Sequence, residues 1–172
     1  MENRSLSAPW RMEYIRTLEN PDGDACFICL AAAAATDEER RKRLVLWCSE
    51  QCVAMINRYP YANGHLLVAP RAHKAELELL SDAEHLDMQK QTTAAVALLK
   101  RTVSAQGFNL GINVGRCAGA GLPGHIHQHI VPRWGGDTNF MSVVGDVRVI
   151  PEATGRLYDE LLAMRKKIAT EK

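Results

Sequence analysis

Three histidines alternate in the segment His125-Ile126-His127-Gln128-His129, and this spacing constrains the fold more than any other feature. Successive side chains of an extended strand point to opposite faces, so we expect the three imidazoles on one face, roughly 6.5–7 Å apart. Near neutral pH, histidine serves as nucleophile, acid, base or metal ligand. Three of them in an apolar core would leave many ring nitrogens needing partners, so we interpret the strand as functional.

The composition is typical of a soluble globular protein. Its 172 residues, 47% hydrophobic and 24% charged, suggest one domain with a real core. A net charge of +1 provides no basic field for nucleic acid, and the apolar run that includes Leu30 to Ala35 is far below the ~20 residues of a membrane span. No apolar stretch follows Met1 to Arg4, so we expect no secretory signal.

The cysteines indicate a reducing compartment, and we expect a cytoplasmic protein. Their number is odd, five, and they form no dense framework. Cys26 and Cys29 form a C-x-x-C motif that fits a metal site or a redox pair, but no second such motif accompanies it.

The pattern of short strands and one long helix predicts an α+β fold with an antiparallel sheet. A capping box at Ser81 to Glu84 opens the long helix, which we expect to stop at Gly107. The run from Asp37 to Arg43 is interpreted as solvated charge. Further predicted elements are a short helix after Cys26, strands over 44–47, 52–57, 65–69 and 108–114, the histidine strand, and a terminal helix over 152–167.

A glycine-rich loop, Gly115 to Gly124, lies directly before the histidines. Backbone N–H groups that no side chain covers can cradle phosphate, so Gly119 and Gly121 are predicted to bind it, and Arg116 would add charge. Beside a phosphoryl group, a neutral histidine can act as a covalent nucleophile. His127 is central in the row and is our candidate, provided that an acceptor holds its other ring nitrogen. The spacing does not identify that acceptor, and a zinc or copper site on the histidines, completed by the cysteines, remains an alternative.

The chain resembles the histidine-triad (HIT) family over roughly residues 24–140. The family motif His-x-His-x-His followed by apolar residues matches His125 to Val131, and further matches lie at Asn57 to Pro60, Gly64 to Val68 and Asn113 to Gly115. The runs Pro9 to Ile15 and Pro132 to Asp137 resemble a bacterial branch similar to diadenosine tetraphosphate phosphorylases. The resemblance implies an arm over 1–23, a catalytic domain over 24–140 with an antiparallel sheet of about five strands, and a tail with a helix over 141–172.

The resemblance also implies a role for each matching residue. His127 corresponds to the nucleophile that forms a nucleotidyl-histidine, with main chain around Ile126 and Gln128 as its acceptor. His125 and His129 correspond to residues that orient it and contact phosphate. The remaining matches are His65 as support of the active-site strand, Asn57 as ribose ligand and Asn113 as phosphate or nucleotide contact.

Some bacterial relatives hold a structural zinc, and the residues matching its ligands are Cys26, Cys29, His73 and His125. No organic cofactor is implied, and members are usually homodimers whose sheets continue across the interface.

One departure bears on the reaction. Many relatives carry Gln-Ser or Gln-Thr where this chain has Gly121 and Leu122, and the missing side chains leave room for inorganic phosphate. The expected function is therefore cleavage of dinucleoside polyphosphates, with phosphorolysis favoured over hydrolysis. The alternatives are a nucleoside phosphoramidase of the same family, a nucleotide-binding module without catalysis and a metal-binding module.

Overall fold

The computed structural model describes residues 26–137 and 153–171, which contain four α-helices and five strands. The strands are β1 (Val45–Cys48), β2 (Cys52–Ile56), β3 (Leu66–Pro70), β4 (Gly107–Ile112) and β5 (Gln128–Arg133). The helices are α1 (Phe27–Ala32), α2 (Asp37–Lys42), α3 (Asp82–Thr102) and α4 (Thr154–Thr170). The predicted N-terminal arm and the first part of the predicted tail lie outside the described residues.

The strands form one sheet of order β1-β2-β3-β5-β4, and every neighbouring pair is antiparallel. The α+β class and the five-stranded antiparallel sheet predicted from the sequence are therefore confirmed. β5 lies between β3 and β4, with His129 opposite Leu67 on one side and Gly111 on the other. The last residue of the triad thus lies in the interior of the sheet.

One helical prediction needs correction, and one helix was not predicted. The long helix opens at the predicted capping box but ends at Thr102, well before Gly107, because Ser104 adopts φ 52° and Gln106 N–H then donates to the carbonyl of Arg133 on β5. The run from Asp37 is exposed, as expected, but it also folds into α2, whose first turn is capped by Thr36 and Glu39.

The sheet buries both faces against different partners. One face, with Ile56, Leu66, Val68 and Ile130, packs in the same core as residues of α3 and α4. The other face, with Val53, Leu67 and Ala69 among its residues, packs in a smaller cluster with Ile28 and Ala31 of α1. Side chains alternate along β5, so His129 points away from the face of Ile130 and lies on the α1 side of the sheet.

Gly64 joins the loop after β2 to the start of β3 and is needed there for two reasons. Its φ of +78° is in the left-handed region, where a side chain is strained. A Cβ atom at this position would also lie 3.0 Å from Leu99 Cδ2 of α3 and 3.3 Å from Pro132 Cγ of β5. The close approach positions the next residue, His65, beside the sheet.

Among the described helices, none combines the length and the apolar character needed to cross a bilayer.

Candidate active site and metal cluster

The triad histidines are not a row on one strand face, so that prediction is wrong. β5 begins only at Gln128, and the preceding segment is held by loops instead of a neighbouring strand. Ile126 N–H donates to the carbonyl of Lys74 at 2.7 Å, and His125 N–H donates to the carbonyl of Leu122 at 3.4 Å. His129 therefore belongs to the sheet, whereas the other two histidines take orientations set by their own contacts.

His127 is held as a neutral base with a free lone pair. Its Nδ1 lies 2.8 Å from the carbonyl oxygen of His125, and because a carbonyl only accepts, Nδ1 carries the proton. The lone pair is then on Nε2. The residue is 6% exposed, and burial lowers its pKa below the ordinary 6.5. The acceptor is thus the carbonyl of His125, in the peptide bond to Ile126, which narrows the expected main chain around Ile126 and Gln128 to one atom.

His129 receives its orientation from the loop before β3. Tyr61 N–H donates to Nδ1 of His65 at 3.0 Å, so this nitrogen is an acceptor and Nε2 of His65 carries the proton. That proton is donated to Nδ1 of His129 at 2.9 Å. Nε2 of His129 must then carry a hydrogen, which makes it a donor beside His127, whose ring centroid is 5.0 Å away.

Burial keeps both histidines of this pair neutral. His65 is fully buried, which lowers its pKa to about 3, with smaller contributions from His129 and His127. Burial and the neighbouring His127 lower the pKa of His129 to about 4. At neutral pH the site therefore holds uncharged imidazoles whose tautomers are set by hydrogen bonds.

Asn57 borders this pair. Its Nδ2 amide lies 3.3 Å from His65 Nδ1, and its Oδ1 accepts from the N–H of Tyr59 at 3.0 Å. The side chain is half-buried at the end of β2. Nδ2 can donate one further hydrogen bond and Oδ1 can accept one further hydrogen bond. The predicted ribose contact is therefore compatible with this position.

The glycine-rich loop uses part of its own hydrogen-bonding capacity. Gly119 N–H donates to the carbonyl of Arg116 at 3.0 Å, and Ala120 N–H donates to the carbonyl of Gly115 at 3.3 Å. The Gly119 N–H, predicted to bind phosphate, is therefore bonded within the loop in this structure. Asn113 Nδ2 reaches the Gly119 carbonyl at 3.5 Å, so this side chain braces the loop.

The two positions that depart from the family pattern differ in their surroundings. Leu122 is partly buried and packs against the cluster beneath α1. Gly121 is also partly covered, and it precedes the turn that leads into His125. The apolar side chain at 122 is thus explained by packing.

Four side chains converge at the N-terminal end of the triad segment, around His125. They are Cys26 at the start of α1, Cys29 within it, His73 after β3 and His125, and their ligand atoms all lie within 4.8 Å of one another. His125 Nδ1 is 3.2 Å from Cys26 Sγ and 3.5 Å from Cys29 Sγ, and His73 Nδ1 is 3.2 Å from Cys29 Sγ. The structure therefore brings together the four residues that match the zinc ligands of the bacterial relatives.

His125 cannot contact phosphate in this arrangement. It is fully buried, and its Nε2 lies 2.8 Å from the carbonyl oxygen of Pro70, so Nε2 carries the proton. The Nδ1 lone pair is then directed at the two sulfurs. Both ring nitrogens are committed, which corrects the prediction of a phosphate role and leaves the ligand role.

The donor set fits a cation. Partial burial and the adjacent Cys26 raise the pKa of Cys29 to about 11, since a thiolate there would be partly desolvated. A zinc ion would stabilise both thiolates and accept the lone pairs of the two imidazoles in a closed four-ligand set. Pro70 would then orient His125 by the hydrogen bond typical of a ligating histidine.

Three contacts in these clusters were not predicted from the sequence. The carbonyls of Pro70 and Lys74 hold the triad segment, and Tyr61 packs its ring on His65 and His129. Main-chain carbonyls carry no sequence signal. Tyr61 could have been found from the sequence, because it is an aromatic residue in the polar loop before His65.

Comparison with known sequences gives a consistent result. The family model described as HIT domain matches residues 38–136, more than half of the chain. A protein of Mycobacterium tuberculosis named AP-4-A phosphorylase is 40% identical over 171 residues, which covers 96% of this chain and 83% of that relative. The asymmetrical bis(5'-nucleosyl)-tetraphosphatase of Schizosaccharomyces pombe is 32% identical over 52% of this chain and 48% of its own length.

Solved structures agree on the fold. A zinc-bound histidine triad family protein from Mycobacterium smegmatis superposes with a TM-score of 0.68 at 22% identity, covering 86% of this chain and 98% of that one. A hypothetical histidine triad nucleotide-binding protein from Sulfolobus tokodaii gives a TM-score of 0.64 at 25% identity, covering 84% and 93%.

Proposed function

The chain belongs to the HIT domain family, and on this premise we propose that it is a nucleotidyl transferase that cleaves dinucleoside polyphosphates by phosphorolysis. The observation that carries the proposal is the neutral His127, whose Nδ1 proton is held by the His125 carbonyl and whose Nε2 lone pair is free. The 40% identity to a relative named AP-4-A phosphorylase supports diadenosine tetraphosphate as the substrate.

The proposed reaction has two displacements at one phosphorus. Nε2 of His127 attacks the α-phosphorus of diadenosine tetraphosphate, a P–N bond forms, and ATP leaves as its P–O bond breaks. An oxygen of inorganic phosphate then attacks the nucleotidyl-histidine, the P–N bond breaks, and ADP is released. With water as the acceptor, the second product would be AMP.

His129 and its partners support both steps. The hydrogen bond from His65 leaves an N–H on Nε2 of His129, and this donor can stabilise the charge that develops on phosphate oxygens. Asn57, beside His65, is the proposed ribose contact. Asn113 is proposed to act on the nucleotide or phosphate through the loop that it braces, in which Gly121 leaves room for the phosphate acceptor.

Product analysis tests the proposal. Diadenosine tetraphosphate is incubated with the protein in the presence and absence of labelled inorganic phosphate. We expect ATP and labelled ADP, with turnover dependent on phosphate. AMP and ATP without phosphate dependence would indicate a hydrolase, and preferential cleavage of an adenosine phosphoramidate would indicate a phosphoramidase.

A trapping experiment tests the intermediate separately. After rapid denaturation without phosphate, mass spectrometry should detect one adenylyl group on the wild-type protein and none on His127→Ala. Nucleotide binding with neither turnover nor trapped adduct would reduce the protein to a binding module and would overturn the proposal.

We further propose that Cys26, Cys29, His73 and His125 hold a structural zinc ion. The support is the convergence of the four ligand atoms and the direction of the His125 lone pair. The ion would hold the ring of His125, whose carbonyl orients the nucleophile. Free thiols at all five cysteines support a reducing compartment such as the cytoplasm.

A homodimer is proposed through β4. This strand ends the sheet, and among the described residues no strand pairs with its outer edge. Its outer edge has an open row of backbone donors and acceptors, and the side chain of Leu110 is 47% exposed. Analytical ultracentrifugation tests the dimer, and a charged substitution such as Leu110→Lys should shift the protein toward monomer.

A further inference from the structure

Tyr61 is an exposed aromatic residue at the edge of the candidate site. It is 46% exposed, although its neighbours His65 and His129 are largely buried. Its ring centroid lies 4.7 Å from that of His65 and 5.7 Å from that of His129, with an interplanar angle of 22° to His129. These separations are in the range of aromatic stacking.

Both imidazoles lie toward the same side of the Tyr61 ring. The His65 and His129 centroids are only 5.1 Å apart, so the two imidazoles approach the Tyr61 ring from one direction. The exposed part of Tyr61 is therefore directed away from the imidazoles, toward solvent. The exposed ring surface of Tyr61 thus lies beside His129, whose Nε2–H is the donor proposed to face the phosphates.

The order of the rings indicates which part of a substrate meets this surface. His127 is buried and must reach the α-phosphorus, so the nucleoside attached to that phosphorus lies close to it. The ring of His129 lies next to His127, and the ring of Tyr61 lies next to His129 and is the more exposed of these two. A polyphosphate chain leaving His127 past His129 would pass along Tyr61.

We propose that Tyr61 stacks on the nucleobase of the second nucleoside, the one that leaves with the polyphosphate, and so selects dinucleoside over mononucleoside polyphosphates. Every base has a π face, so this contact favours a second nucleoside without reading its identity. The inference rests on the proposed function, because it concerns the leaving group of that reaction.

The test compares two substrates with the same number of phosphates, diadenosine tetraphosphate and adenosine tetraphosphate. Tyr61→Leu removes the aromatic ring and keeps an apolar side chain, and Tyr61→Phe keeps the ring. We expect Tyr61→Leu to lower kcat/KM for diadenosine tetraphosphate by a factor of about 5 to 150, the range that stacking on one base provides. Its kcat/KM for adenosine tetraphosphate should fall by a smaller factor, because only the packing of Tyr61 on His65 and His129 is lost there. Tyr61→Phe should resemble wild type on both substrates.

Other outcomes overturn the inference. An equal loss on both substrates would mean that Tyr61 acts only through His129 or on the first nucleoside. A loss in Tyr61→Phe equal to that in Tyr61→Leu would assign the effect to the hydroxyl, and no loss in either would remove the contact altogether. Leu86→Ala, an exposed apolar position on α3, is the matched control and should change neither substrate.

Failure of the proposed function is separately visible. In that case the wild-type protein would form no adenylyl-histidine from either substrate, whatever residue stands at position 61.

Discussion

His125 and His127 lie two residues apart, and the backbone gives them opposite chemistry. The Pro70 carbonyl takes Nε2–H of His125 and leaves its Nδ1 lone pair directed at two thiols. The His125 carbonyl takes Nδ1–H of His127 and leaves the Nε2 lone pair free. The same side chain thus offers a lone pair to the proposed metal in one place and to the proposed reaction in the other, according to which nitrogen a carbonyl holds.

Among the described residues, His125 connects the candidate metal cluster (Cys26, Cys29, His73 and His125) with the reactive cluster (His65, His127 and His129). Its ring belongs to the first cluster, and its carbonyl accepts from His127 of the second. The metal cluster is built from α1, the segment after β3 and the triad segment, so it ties together parts that are distant in sequence. The reactive cluster depends on the sheet and on the loop before β3. Substitutions should therefore separate catalysis from stability.

The largest effect is expected for the nucleophile. His127→Ala should lower kcat by a factor of at least about a thousand, because the covalent route is lost. Its zinc content and its melting temperature should remain close to wild type, because the residue is not a ligand. Steady-state kinetics and metal analysis check this, with exposed His85→Ala as the control. A variant that retains full activity would remove His127 from the mechanism.

Removal of the metal should act on stability. Cys29→Ser, or treatment with a chelator, should lower the free energy of unfolding by about 2.7 kcal/mol where free zinc is a hundredfold above its Kd, or about 5–10 °C in melting temperature. Thermal unfolding with and without added zinc measures the difference. Cys117→Ser, at an exposed thiol outside the cluster, is the matched control. An unchanged melting temperature in both variants would contradict a structural ion.

Acid should destabilise the reactive cluster. The pKa values of His65 and His129, about 3 and 4, lie below the ordinary 6.5, so the unfolded chain binds protons that the folded chain does not. Stability is thus retained above about pH 6.5 and falls as the pH drops toward 4, by up to about 1.4 kcal/mol per pH unit for each histidine.

Denaturant unfolding of wild type, His65→Asn and His85→Asn across this pH range measures the slope. The variant at 65 should show a smaller slope by about one proton, and the variant at 85 should show the wild-type slope. Equal slopes in all three proteins would show that the buried pair does not control acid stability.

The smallest effect concerns the loop that holds His65. Gly64→Ala should cost about 1–2 kcal/mol, because its φ is positive, plus the displacement of Leu99 and Pro132. Gly111→Ala has open space around its Cβ and is the matched control. Chemical denaturation compares the two, and equal stabilities would mean that the loop adjusts without strain.

Local sequence patterns were sufficient for most of the fold. The alternation of apolar residues and the Ser81 capping box predicted the strands and the start of α3 within a few residues, since these features act over one or two turns of chain. The end of α3 was not predictable, because it depends on Ser104 and on pairing of Gln106 with β5.

By itself, the sequence determined the chemical types at the site: three alternating histidines, a C-x-x-C motif and a glycine-rich loop. Only the tertiary structure decided which partner each histidine ring faces. His125 turned toward the thiols and His129 toward His65, because partners as distant as Pro70 and Tyr61 hold particular ring nitrogens. Spacing sets which side chains are present, whereas a proton on one of two ring nitrogens is set by a neighbour that only folding brings there.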